Sequence, residues 1–156
     1  MRSQAEQTVI LDSSGGRGRK PPARKSMPAR LGRYELTHEL GKGAMGVVYQ
    51  GRDPRINREV AVKAIPLADE FDPEDLEQAR TRFFREAEMA GRLSHPHIVT
   101  IYDAGEDGGT AYIAMELLRG QHLVEYTSAS RLLPTAVAIE IVARLADALH
   151  YAHQNQ

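Results

Sequence analysis

Three glycines, Gly41, Gly43 and Gly46, precede a lysine, Lys63, in the segment GKGAMGVVYQGRDPRINREVAVK. Glycine reaches backbone angles closed to other residues and has no side chain to hold a ligand at a distance, so such an array suits a phosphate site. A solvent-exposed hairpin turn would use the same residues. A dinucleotide-binding fold would need a helix directly after its glycines. Here the glycines run into VVYQGRD, which alternates as a strand does, and that reading fails on its context.

The flanking elements decide how these residues are presented. Residues 34–40, YELTHEL, alternate as a strand, so the glycines sit in a hairpin between two strands. A third strand, REVAVKAI at 58–65, is apolar at Val60, Val62 and Ala64 and puts Ala61 and Lys63 on its opposite face. Lys63 is thereby turned toward whatever the glycine loop covers. A long helix follows from FDPEDLEQARTRFFREAEMAGRLS, with Asp72 as N-cap, Pro73 in its first turn and acids beside it. Leu76, Phe83, Ala87, Met89 and Ala90 form its apolar side, and Glu86 lies near the inward edge. Two strands are expected at 98–102 and 110–118, around the turn DAGEDGG. After Gly120 come a short helix at 121–127 and an amphipathic helix at 134–153. The stripe of the latter, Ile139, Val142, Leu145, Ala146 and Leu149, needs a covering partner.

Composition narrows the class. With 156 residues, 42% hydrophobic and 26% charged, the chain suits one globular domain, and no apolar run approaches the roughly 18 residues of a membrane helix. The amino terminus lacks a secretory pattern, which makes the cytoplasm the expected compartment of this segment. Absence of cysteine excludes disulfides, thiolate metal sites and cysteine nucleophiles. The net charge of −1 hides an asymmetry: residues 1–33 hold eight Arg or Lys against two acids, and 34–156 hold twelve against nineteen. Rich in Gly, Pro, Ser and Arg, residues 1–33 read as a flexible basic arm or linker. Such an arm attracts anionic lipid or nucleic acid, but no aromatic is interleaved to stack on bases, which argues against nucleic acid.

In this order the pieces resemble the amino-terminal lobe of a bacterial eukaryotic-type (Hanks-type) serine/threonine protein kinase, from Tyr34 to the end of the chain. The motif G-x-G-x-x-G-x-V stands as Gly41, Gly43, Gly46 and Val48, the strand lysine motif as VAVK ending in Lys63, and FFREAEMAGRLSHPHIV matches the helix that supplies a glutamate. The resemblance implies ATP bound by Leu40, Gly41, Lys42, Gly43, Ala44, Met45, Gly46, Val48, Ala61, Lys63, Met115, Glu116 and Leu118. Loop amides and Lys63 hold phosphates, and Glu86, with Glu88 as the lesser candidate, steadies Lys63. Met115 falls at the gatekeeper position, and Glu116 and Leu118 offer main-chain groups to adenine. The implied fold is α+β: a five-stranded antiparallel sheet with one helix over residues 34–118, then two helices of an incomplete helical lobe over 119–156.

The motifs H-R-D-x-x-x-x-N and D-F-G, which hold Mg²⁺ and orient the substrate hydroxyl in the family, do not occur in these 156 residues. The chain as written is therefore expected to be inactive alone, as the front part of a kinase whose protein substrates, membrane anchor and Mg²⁺ ligands lie elsewhere. No metal site is expected here, and His95, His97, His150 and His153 read as packing or surface residues. The alternative is a non-catalytic, kinase-like nucleotide-binding or protein-interaction module, with the missing lobe or a partner covering the last helix.

Overall fold

The computed structural model describes residues 27–43 and 46–155; Ala44 and Met45 of the glycine hairpin, residues 1–26 of the expected arm and Gln156 lie outside the described residues. The first strands are β1 (Arg30–Leu31), β2 (Tyr34–Gly43), β3 (Gly46–Asp53) and β4 (Arg58–Ile65). Helices α1 (Leu67–Glu70) and α2 (Pro73–Gly91) follow, then β5 (Ile101–Asp107) and β6 (Thr110–Met115). A 3-10 turn at Leu123–Tyr126 and helix α3 (Thr135–Gln154) complete the described chain. All strand pairs are antiparallel, in the order β1-β2-β3-β4-β6-β5.

The expected five-stranded sheet thus has six strands. The sixth, β1, exists because Leu31 finds a buried place and pairs with Tyr34, so the sheet begins upstream of the boundary expected between 33 and 34. Arg33, read as part of the arm, is fastened to Asp53 at 2.9 Å and to Asp103 at 2.8 Å. Burial pushes the Asp53 carboxyl up, but hydrogen bonds from the Arg33 guanidinium and the Arg55 amide outweigh it and hold it below the ordinary carboxylate range.

The core lies on one face of the sheet, among Tyr34, Leu36, Tyr49, Val60, Val62, Tyr112 and Ala114. Tyr34 is 0% exposed, meets Tyr112 edge to face at 5.9 Å and donates its hydroxyl to Asp103 Oδ2 at 2.9 Å. Burial, followed by that hydrogen bond, raises its pKa far above the usual tyrosine range. Tyr34→Phe keeps the ring and leaves Asp103 its ion pair with Arg33, so it should cost about 1 kcal/mol, a fall of roughly 2–4 °C in Tm by calorimetry.

Pro73 follows Asp72 at the start of α2, whose ring face packs chiefly against β5 through residues such as Phe84 and Ala87. Met89 departs from the expected apolar side. Two positions beyond Ala87, it points nearly opposite on a 3.6-residue turn and is exposed. On α3 the stripe Ile139, Val142, Leu145 and Leu149 is exposed, with nothing among the described residues covering it, and Ala148 is the residue of the helix that is buried. Contacts from the segment after α2 seat that helix. The Ser94 amide donates to the Tyr151 hydroxyl at 3.3 Å, and His95 Nε2 lies 3.2 Å from Asp147. The His97 amide donates to His95 Nδ1, so the ring proton sits on Nε2, facing the aspartate. His95 is accordingly a packing residue that joins the sheet to α3.

Candidate nucleotide-binding site

The sheet register assembles the site. Gly41 lies opposite Val48, Val48 opposite Lys63, and Lys63 opposite Ile113, while Ala61 lies opposite both Gln50 and Met115. Cross-strand partners share a face, and alternate residues on one strand share it too, so Val48, Ala61, Lys63 and Met115 form one surface, opposite the Tyr34 core. The glycine hairpin β2–β3 pairs beside it, Gly43 opposite Gly46.

Each glycine has a different reason to be there. Gly46 has φ +116°, and a Cβ on it would stand 2.0 Å from the Ala64 carbonyl oxygen, so the fold itself requires glycine. A Cβ on Gly41 or Gly43 would meet nothing within 4 Å. The hairpin leaves open space above those two residues, which are exposed together with Lys42, as is Leu40.

At the other end of the surface the chain leaves β6 after Met115. The Glu116 amide donates to the Thr100 carbonyl at 2.9 Å. Among the described residues neither the Glu116 carbonyl nor the Leu118 amide takes a hydrogen bond, leaving an acceptor and a donor on one extended strand exit. Arg119, next in the chain, reaches back to Glu59 Oε2 at 2.8 Å, and Gln50 donates to the other oxygen of Glu59 at 3.0 Å. This pair of bonds ties the strand exit to β3 and β4, a feature sequence reading missed because its three members are far apart in the chain.

Lys63 and Glu86 are not brought together. Lys63 is half-buried and makes no ion pair among the described residues. Glu86, its side chain 58% exposed, accepts from Arg82 Nε at 2.7 Å, an i, i+4 pair along α2. Glu88, the lesser candidate, pairs with Arg92 at 2.5 Å on the outer side. Between α2 and the end of β4 lies a cavity of about 530 Å³, with Ile65 on one wall and Phe83 and Glu86 on the other. The helix therefore stands off the strand that carries Lys63. Among the described residues no three His, Asp or Glu side chains gather as a metal-binding group. No helix among them is long and apolar enough to cross a membrane.

Comparison with known proteins gives this surface a lineage. The protein kinase domain family matches residues 34–156. Serine/threonine-protein kinase PrkC of Bacillus subtilis is 40% identical over 125 residues, covering 80% of this chain and 19% of its own length. Serine/threonine-protein kinase PknB of Mycobacterium leprae is 42% identical over 127 residues, covering 79% and 20%. The solved kinase domain of PknI from Mycobacterium tuberculosis superposes with a TM-score of 0.65 at 38% identity, over 80% of this chain and 49% of that domain. The chain thus spans about a fifth of these curated relatives and about half of that solved domain. With the matched residues running from β2 through α3, over the glycine hairpin and the Lys63 face alike, the chain belongs to the protein kinase family, among its bacterial Hanks-type serine/threonine members.

Proposed function

We propose that residues 34–118 bind ATP and that the chain is the nucleotide-binding part of a serine/threonine protein kinase. The observation that carries this reading is the shared face of Val48, Ala61, Lys63 and Met115 beneath an open Gly41–Gly43 edge. Val48 and Ala61 give adenine an apolar ceiling, consistent with the mostly apolar lining of ligand pockets. The Glu116 carbonyl and Leu118 amide match the donor and acceptor on the purine edge. Hairpin amides and the Lys63 ammonium then face the phosphates, where backbone N–H groups and a point charge serve best.

In the transfer itself the bond between the γ-phosphorus and its bridging oxygen breaks and a bond to a protein Ser or Thr hydroxyl forms. Positioning and charge neutralisation supply most of the catalysis in such reactions. Within this chain Lys63 would neutralise phosphate charge. Glu86 would orient Lys63 once it leaves Arg82 and α2 closes the gap to β4. The exposed stripe of α3 supports contact with further protein, whether later residues of the same polypeptide or a separate partner.

Titration of the isotope-labelled chain with ATP, followed by amide NMR, tests the reading. Shifts should concentrate at residues 41–48, 61–63 and 115–118. Shifts confined to the α2 surface or to basic residues of the arm would overturn it.

A further inference from the structure

The cavity between α2 and β4 has an apolar floor and an acidic rim. Ile65, Leu67, Phe71 and Phe83 line it together with Glu70 and Asp75 and with Arg82 and Glu86, which pair with each other, and Phe71 is 43% exposed. Residues 67–79 contain six acids and no Arg, Lys or His. Glu77 is taken by Arg80, whereas Glu70, Asp72, Glu74 and Asp75 make no ion pair among the described residues. An apolar floor beneath like charges fits an occupant that is apolar at one place and basic at another.

One segment of this chain has that character. Residues 1–26 carry Thr8, Val9, Ile10 and Leu11, followed by Arg17, Arg19, Lys20, Arg24 and Lys25, with Glu6 and Asp12 as their acids. The fold also brings the exit of this segment close to the cavity. The Gly32 amide, just after β1, donates to Asp107 at 2.9 Å in the β5–β6 turn, and Gly109 of the same turn accepts from the Ala68 amide of α1 at 3.3 Å. Fifteen residues separate Leu11 from Met27. Extended, they reach about 50 Å, well beyond the roughly 28 Å length of a helix the size of α2.

We propose that the amino-terminal segment docks in cis on this cavity, with Val9–Leu11 over Phe71 and Phe83 and the Arg17–Lys25 run against Glu70, Asp72, Glu74 and Asp75. Ile65 of the cavity wall stands two residues beyond Lys63, on the same face of β4. An occupant there keeps α2 off β4 and leaves Glu86 with Arg82, which makes the segment a built-in restraint on the Lys63–Glu86 pair. The restraint rests on the proposed function. The docking does not, and its test needs no nucleotide.

The test is zero-length carbodiimide coupling of lysine amines to carboxylates, mapped by mass spectrometry on an equal mixture of isotope-labelled and unlabelled chains. Lys20 and Lys25 should couple within one chain to Glu70, Asp72, Glu74 or Asp75 in preference to equally exposed carboxylates such as Glu35, Glu59 and Glu125. About 0.5 M salt should suppress the coupling by screening, and Ile10→Asp should lower it about tenfold by removing the apolar anchor. Unchanged melting of the Ile10→Asp chain shows that its sheet is intact, so that the loss of coupling is read at the docking alone. Even coupling over all exposed carboxylates would overturn the proposal. Coupling between labelled and unlabelled chains would give the cavity to a second copy. An arm captured by phosphatidylserine vesicles with no preferred coupling would give it to a lipid surface.

Discussion

Lys63→Met is expected to weaken ATP binding by roughly 10- to 100-fold while leaving the fold intact. A hydrogen bond to a charged group is worth about 1.5–3 kcal/mol, and each 1.4 kcal/mol is a factor of ten in affinity. The structural side of the prediction is equally specific. Lys63 has no ion-pair partner among the described residues, so its removal strands no buried charge, and methionine keeps the stem that packs between Val48 and Ile113. Thermal stability should move by no more than about 0.5 kcal/mol. A titration showing unchanged affinity would remove Lys63 from the phosphate site. Loss of affinity accompanied by an equal loss of stability would make it a packing residue.

The same residues show how far sequence reasoning carries. The strand bearing Lys63 was legible to the residue at 58–65, because a short run rich in β-branched residues, with Val60, Val62 and Ala64 on one face, follows the turn at DPRIN. Its pairing with β3 follows from the short turn between them, whereas its pairing with β6, which comes after both helices and β5, has no signal in periodicity. The distance from α2 to β4 was not legible either. Periodicity names the edge of the helix on which Glu86 lies, but not how far the helix stands from a strand: α2 rests against β5, and a cavity separates it from the end of β4. Short elements were illegible for another reason: β1 has two residues and α1 four, too few for any period to show.

Strand β5 was misjudged at both ends. Its segment DAGED reads as a turn, yet it pairs through Asp107, and the turn shrinks to Gly108 and Gly109. Tertiary contact explains this. A Cβ on Gly105 would lie 2.4 Å from the Tyr112 hydroxyl oxygen, so glycine is present to admit a tyrosine ring and not to turn the chain. Composition alone cannot separate these two uses of glycine.

That distinction becomes a measurement in the hairpin. Gly46→Ala places a Cβ against the Ala64 carbonyl and imposes a left-sided φ of +116° on an L-residue. Strain of this kind costs about 1–3 kcal/mol, and the clash with backbone adds to it because Ala64 is paired on both sides within the sheet. The expected loss is about 2–3 kcal/mol, or roughly 4–12 °C in Tm, with nucleotide affinity falling as the hairpin opens. Gly41→Ala is the complementary case. Its Cβ meets no protein atom, so stability should hold within about 0.5 kcal/mol, yet the methyl would intrude on the space where phosphates are proposed to lie. Melting by calorimetry and ATP titration on both variants separates the two roles. If Gly46→Ala destabilises and Gly41→Ala only weakens binding, one glycine shapes the hairpin and the other keeps it open to ligand. If Gly41→Ala binds ATP as the parent does, the open edge above Gly41 does not lie over the nucleotide, and the site would have to be rebuilt around Lys63 and the β6 exit alone.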